Sequence, residues 1–292
     1  MDRWSRLSAE QVAALPTDEE VGFYEEHGWY ISKPVLSDAI IETARRGAER
    51  FYRGERDGDL AATHGFHDWD PADGGLLRNN EFVSLRNREI AALVREPIVG
   101  AIAARLARTD SVRLLDDQLV YKEGGAPEAI DASTAVGWHA DHAYWATCSS
   151  DKLITAWIPF HDVDETRSPL AVIDGSHRWS GLEHTRFFNN RDLDGMEENF
   201  RAAGRPAKRV TLAMRQGQIS FHHCWTLHGS LPNRSSDHRL ALAVHIQDRD
   251  NHYRQAFGPD GKPVQIADER LCRRLPNGDP DFADPAVFPV IW

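Results

Sequence analysis

Cysteine is scarce: Cys148, Cys224 and Cys272 are the three in a chain of 292 residues. An odd, widely separated set argues against a disulfide framework and suits a reducing compartment, so a cytoplasmic location is expected. Long apolar runs are missing as well. No stretch reaches the roughly 18 residues that a membrane span needs, and the opening Met1-Asp2-Arg3-Trp4-Ser5 has no signal-peptide core. Positive charge is in deficit. Against 45 Asp and Glu stand 34 Lys and Arg, a formal net charge of −11 with no basic run. Nucleic acid and anionic membrane are therefore not expected as partners. Repeats and low-complexity segments are absent. What remains is an ordinary globular composition, 41% hydrophobic and 27% charged, in a length able to bury a large core.

The first third reads as mainly helical. Thr17-Asp18-Glu19-Glu20 has the form of a capping box opening a helix that Gly28 stops. Trp29-Tyr30-Ile31 reads as a short strand. Ser37-Asp38 caps a second helix with Leu36, Ile40, Ile41, Ala44, Ala48 and Phe51 at helical spacing. Pro97 suits the first turn of a third, with Ile98, Ile102 and Leu106 on one face. After about residue 110 the texture changes. Val112 to Tyr121, Leu153 to Phe160, Leu170 to Ile173, Gln218 to Cys224 and Arg239 to Gln247 read as strands between Gly, Pro, Asp and Asn turns. Residues 181 to 206 are polar and loop-like, with a short helix around Met196 to Phe200. The expected fold class is α+β with a mainly β core, a sandwich or barrel flanked by N-terminal helices. We expect one domain over residues 1–292: a helical front to 110, a β core from about 111 to 250, and a Pro-, Asp- and Gly-rich wrap from 251.

The chemistry concentrates in His139-Ala140-Asp141. Alternation along a strand turns residues two apart to the same face, so an imidazole and a carboxylate can meet one cation. Two imidazoles and one carboxylate are the ligand set of a mononuclear non-haem Fe(II) site, which leaves the opposite face of the metal open. The second imidazole must come from elsewhere among the 14 histidines. His228 is the candidate, because Ser230 and Arg239 follow it closely. In the strand Arg239 to Ile246, Leu240, Leu242, Val244 and Ile246 form a core face. Arg239, Ala241, Ala243 and His245 share the other face, where small residues leave room beside an Arg. A guanidinium can grip a carboxylate through two parallel hydrogen bonds.

These motifs resemble the phytanoyl-CoA dioxygenase family of Fe(II)- and 2-oxoglutarate-dependent oxygenases. The resemblance rests on Gly137-Trp138-His139-Ala140-Asp141-His142-Ala143-Tyr144-Trp145, Thr155-Ala156-Trp157-Ile158-Pro159, Ser168-Pro169-Leu170, Asp174-Gly175-Ser176-His177-Arg178, and His228-Gly229-Ser230 with Asn233 and Arg239. It covers roughly residues 17 to 250, including the opening Phe23 to Trp29. It implies a cupin-like double-stranded β-helix, or jelly roll. His139, Asp141 and His228 would hold Fe(II). Arg239 and Ser230 would hold the distal carboxylate of 2-oxoglutarate, with Thr155 and Trp157 lining that pocket and Lys122 a further candidate. Because the carboxylate of Asp141 is retained, O₂-dependent hydroxylation is implied rather than halogenation, with release of succinate and CO₂. Desaturation, epoxidation and rearrangement use the same machinery.

The substrate side is sketched by aromatics near the metal motifs: Trp138, Tyr144, Trp145 and Trp225, with His223. Of the adjacent His222 and His223, one alone can face inward. His142 has the wrong parity to join His139. Asp116 and Asp117, being adjacent, cannot share a face. His64, His67 and Trp69 lie in a stretch suited to a lid, and Arg186 and Arg191 are candidate polar anchors. A small natural-product or secondary-metabolite intermediate is the expected substrate. No Lys/Arg cluster awaits the phosphates of an acyl-CoA. The competing readings are a metal enzyme that uses no 2-oxoglutarate, and a non-catalytic jelly roll that binds a metal or small molecule.

Overall fold

A threonine and a glutamate start the ordered core of the chain. Thr17 Oγ1 accepts from Glu20 N at 3.2 Å, and Glu20 Oε2 accepts from Thr17 N at 2.7 Å. This box opens α2 (Asp18–His27), which follows a short α1 (Ala9–Ala13). Helix α2 ends at Gly28, in the left-handed region at φ 78°. A Cβ there would lie 2.3 Å from His177 Nδ1, so both the backbone and the close packing require glycine. The chain turns directly into β1 (Trp29–Ile31). Ser37 caps α3 (Asp38–Tyr52), whose Ile41, Ala44, Ala48 and Phe51 are fully buried.

The structure, a computed structural model, describes residues 4–125, 134–258 and 260–292. Met1 to Arg3 of the opening segment lie outside them. After β2 (Leu77–Glu81) come α4 (Arg88–Val94) and α5 (Pro97–Leu106), with Pro97 in its first turn as expected. Helices α1 and α4 escaped the sequence reading. Each nevertheless carries a cap, Ser8 on Gln11 N at 3.1 Å and Asn87 on Ile90 N at 3.0 Å. Then follow β3 (Val112–Lys122), β4 (Val136–His139), β5 (Ile154–Pro159), β6 (Ala171–Ile173), α6 (Leu193–Ala202), β7 (Arg209–Thr211), β8 (Ser220–His223), β9 (His228–Ser230) and β10 (Arg239–Asp248).

The strands form two main antiparallel sheets. One has six strands in the order β1-β8-β5-β10-β3-β2, the other four in the order β4-β9-β6-β7. They face each other as a jelly roll whose sheets do not close into a barrel. On β10, Leu240, Leu242, Val244 and Ile246 join the cluster under the N-terminal helices. Ala241 and Ala243 point the other way, toward Trp157, Leu170 and Val172 between the sheets. Full burial of each large apolar side chain contributes about 1.5–3 kcal/mol, so β10 anchors the helical layer while its opposite face stays small. The far side of the smaller sheet is covered by α6 through Trp138, Leu193 and Met196. The C-terminal segment packs Ile266, Phe282 and Phe288 against Phe82, Leu115 and Trp145. The three cysteines are buried and unpaired. Among the described residues no helix is long and apolar enough to cross a membrane.

Candidate metal centre and its cavity

Strands β4 and β9 pair with His139 directly opposite His228, so two imidazoles meet by register. Strand β4 ends at His139, earlier than the sequence alternation implied, but Ala140 is still extended (φ −110°, ψ 131°). That one further step swings Asp141 to the same side before a 3₁₀ turn begins. One ligand atom from each of His139, Asp141 and His228 lies within 4.8 Å of the others. The Nε2 atoms of His228 and His139 stand 3.3 and 3.8 Å from Asp141 Oδ1.

The surrounding hydrogen bonds aim these atoms. His139 Nδ1 lies 2.8 Å from Gly137 O, and His228 Nδ1 lies 3.0 Å from Thr226 O. Each carbonyl demands a proton on Nδ1 and leaves the Nε2 lone pair for the site. Thr155 Oγ1 donates to Asp141 Oδ2 at 2.6 Å, and His222 Nε2 reaches the same oxygen at 3.2 Å. Both bonds occupy Oδ2, so Oδ1 faces the histidines. Burial drives His139 down to about 3, hence neutral and able to ligate. Burial opposes charge on Asp141 too, but His228 and His222 outweigh it and hold the carboxyl well below its usual range. Burial acts to lower His228 as well, yet the adjacent Asp141 lifts it above its ordinary value.

Behind the triad is an inner lobe of about 50 Å³, lined by Thr155, Trp157, Ser230, Arg239 and Ala243. Arg239 is 2% exposed, and its Nε and Nη1 have no hydrogen-bond partner. Burial lowers its pKa to about 10, which leaves it cationic at neutral pH. Its guanidinium carbon lies 5.4 Å from the Trp157 ring centroid. Ser230 Oγ accepts from Lys122 Nζ at 2.6 Å, which leaves the Ser230 proton available to the lobe. Lys122 does not line the lobe itself. Its ammonium is satisfied behind the wall by Ser230, Ser168 Oγ at 3.0 Å and Leu231 O at 3.2 Å. Desolvation, with Arg239 and Arg191 nearby, pushes it well below the usual lysine range.

An outer lobe of about 270 Å³ opens on the other side of His139 and Asp141. Tyr144 and Trp145 line it, as do His67 and Arg186. Trp138, Trp225 and His223 fall elsewhere, and His64, Trp69 and Arg191 line neither lobe. Trp138 is a core residue whose Nε1 donates to Leu193 O at 3.1 Å. Trp225 stacks on His142 at 4.3 Å, outside the cavity. His223 faces away toward Tyr24 and His177. Its neighbour His222 takes the inward position, because the β5/β8 register sets His222 opposite Thr155. His245 also escaped the list of candidates, although it shares the Arg239 face of β10. Its Nδ1 lies 2.9 Å from Thr155 Oγ1. Glu81, Asp116 and Asp268 line the outer lobe and come from three distant segments, which no local pattern could have joined.

The family model for phytanoyl-CoA dioxygenase matches residues 24–241. The peroxisomal phytanoyl-CoA dioxygenase of Bos taurus is 23% identical over 268 residues, covering 85% of this chain and 73% of the bovine protein. The 1-deoxypentalenic acid 11-beta-hydroxylase of Streptomyces arenae is 23% identical over 252 residues, 79% of this chain and 81% of its own. Among solved structures, the non-haem alpha-ketoglutarate-dependent carbocyclase SnoK of nogalamycin biosynthesis superposes with a TM-score of 0.69 at 25% identity. That superposition covers 94% of this chain and 96% of SnoK.

Proposed function

The chain belongs to the phytanoyl-CoA dioxygenase family of Fe(II)- and 2-oxoglutarate-dependent oxygenases, and from that premise we propose that it hydroxylates a small organic metabolite held in the outer lobe. A natural-product intermediate is the substrate class we favour, in line with the S. arenae hydroxylase and SnoK. His139, Asp141 and His228 would hold the iron: two imidazoles, of which His228 would give up its proton to the metal, and one carboxylate suit Fe(II), and their ligating atoms converge.

The observation that carries the co-substrate assignment is the unpartnered guanidinium of Arg239, buried in the lobe behind the triad. A buried cation without a counterion costs stability unless a ligand supplies one. The distal carboxylate of 2-oxoglutarate would fill that role, with the Ser230 hydroxyl as a second donor. Lys122 would keep Ser230 oriented from behind, and Trp157 and Ala243 would shape the slot. Iron and 2-oxoglutarate, when bound, supply with O₂ the oxidising power to break a C–H bond, and succinate and CO₂ are released. The protein's own part is to aim Asp141 Oδ1 through Thr155 and His222, and to keep the inner lobe dry.

We read residues 1–292 as one catalytic unit, because Ile266 and Asp268 of the C-terminal segment help wall the outer lobe. The partners proposed are small molecules rather than nucleic acid or membrane, and the compartment proposed is the cytoplasm. The test is succinate production from 2-oxoglutarate by iron-loaded protein in air, with a metabolite panel as stimulant. Wild type should form succinate, and Asp141→Ala and Arg239→Ala should not. Unchanged succinate formation in Arg239→Ala would overturn the co-substrate role.

A further inference from the structure

The outer lobe has an unusual wall. Glu81 from β2, Asp116 from β3 and Asp268 from the C-terminal segment converge on it. Glu81 is held in place by two donors, His67 N at 3.0 Å and Gln118 Nε2 at 2.9 Å. Asp116 accepts one long bond from Phe82 N, at 3.3 Å. Asp268 is 7% exposed, and its Oδ1 has no hydrogen-bond partner. The neighbouring Asp117 turns to the opposite side of β3 and is satisfied by Ser84 N and Oγ. Among the described residues no arginine or lysine pairs with the wall: Arg86 is committed to Asp68 at 2.8 Å. Arg186, the guanidinium lining the same lobe, donates from Nε to Ala143 O and lies over Tyr144. The imidazoles of His67 and His245 line the lobe as well, beside His139, Asp141 and Tyr144.

Buried carboxylates that line one cavity must either hold protons or meet a cation. Burial holds Glu81, Asp116 and Asp268 above their ordinary range; the Asp268 carboxylate adds to this at Glu81, Glu81 and Asp268 add to it at Asp116, and Glu269 adds to it at Asp268. A metal ion is the less suitable occupant. Among the described residues, His139, Asp141 and His228 are the group whose ligating atoms converge within 4.8 Å, and the three carboxylates do not. Their wider spacing, together with Phe66, Tyr144 and Trp145 in the same lobe, suits a larger and softer cation with an organic body.

We propose that Glu81, Asp116 and Asp268 form a subsite for an ammonium or guanidinium group of the substrate, so that the enzyme acts on an amine-bearing metabolite. The proposal rests on the reading of the outer lobe as the substrate chamber. The cation would be held at the acidic wall, and the carbon skeleton would reach past Trp145 toward His139 and Asp141.

The experiment titrates matched probes into protein loaded anaerobically with Fe(II) and 2-oxoglutarate. The sets are phenethylamine, phenethyl alcohol and phenylacetate, and butylamine, butylguanidine and butanol. In at least one set the cationic member should bind tenfold or more tightly than its neutral counterpart. Asp268→Asn and Glu81→Gln should each reduce that preference at least tenfold. At pH 8, where Asp268 is ionised, Asp268→Asn should also raise the melting temperature of the unliganded protein, because it removes an unpaired buried charge, whereas an acid with a purely structural role would lose stability. Absence of cation preference in every set, or a preference unchanged in both variants, overturns the subsite. Saturable stabilisation by Mg²⁺ or Ca²⁺ that is lost in the variants, with no response to amines, overturns it in favour of a metal. The visible band of the iron–2-oxoglutarate chelate in the same samples separates the two claims. A band without cation preference defeats the subsite alone, and no band defeats the oxygenase reading and this proposal with it.

Discussion

Replacing Arg239 with glutamine should separate binding from folding. The guanidinium is buried, lies over Trp157, and leaves Nε and Nη1 unpartnered in the free protein. Losing one member of a buried, hydrogen-bonded charge pair costs about 2–5 kcal/mol of binding. At about 1.4 kcal/mol per tenfold, a central loss of about 3 kcal/mol weakens 2-oxoglutarate roughly 100-fold. Folding should respond in the opposite sense. Desolvation already lowers the arginine to about 10, so the neutral amide removes a penalty, and the melting temperature of the free protein should hold or rise. Anaerobic calorimetry with the metal-loaded protein measures the first effect, and thermal unfolding without ligand the second. Arg239→Lys, which keeps the charge but not the fork, should fall between wild type and glutamine. A 2-oxoglutarate affinity within threefold of wild type in Arg239→Gln would refute the reasoning, and so would a large loss of unliganded stability.

Thr155→Val keeps the strand and the side-chain shape but removes the 2.6 Å bond that fixes Asp141 Oδ2. Metal affinity should drop about 10- to 100-fold, as measured by competition with a chelator, and folding should lose about 1–3 kcal/mol because His245 Nδ1 also loses its partner. Ala243→Leu projects into an inner lobe of about 50 Å³, so calorimetry should find 2-oxoglutarate binding abolished while metal binding persists. Burial and the Asp268 carboxylate raise Glu81 to about 8, and burial raises Asp268 to about 7. Carboxyls whose folded values lie above their unfolded ones take up protons on folding. Their contribution is therefore full below the unfolded values of about 4.5 for Glu81 and 3.8 for Asp268, and is lost as pH rises toward 8. The buried site histidines, lowered to about 3 for His139 and about 4 for His222 and His245, act in the opposite sense and finish about a unit above their unfolded value of 6.5. Between pH 7.5 and 8.5 the melting temperature of metal-free protein should therefore fall, and Glu81→Gln should flatten the decline. Parallel curves would remove Glu81 as its source.

What the sequence disclosed followed the range of the interactions involved. The box of Thr17 and Glu20, the stop at Gly28 and the cap at Ser37 are settled within a few residues, and they stand as read. The two faces of β10 were legible for the same reason: alternation from Arg239 to Ile246 separates core from cavity without reference to any other strand. The wall of the cavity was not legible. His222 and His223 could be told apart only by the pairing of β8 with β5 and β1, a long-range register. Trp138 and Trp225 sit beside ligand motifs in sequence, yet they pack into the core or onto His142 because a strand alternates and a turn intervenes. Lys122 was near the pocket but on the wrong side of Ser230. The acidic wall is the extreme case, since Glu81 and Asp268 are brought together only when the C-terminal segment packs against Phe82 and Trp145.

The most direct test of the central claim is an anaerobic titration of metal-free protein, first with Fe(II) and then with 2-oxoglutarate, followed in the visible range. A saturable charge-transfer band should appear, absent in Asp141→Ala and shifted to much higher 2-oxoglutarate concentration in Arg239→Gln. Iron bound at His139, Asp141 and His228 with no band at any 2-oxoglutarate concentration would contradict it, and would leave a metal enzyme or binding protein that does not use this co-substrate.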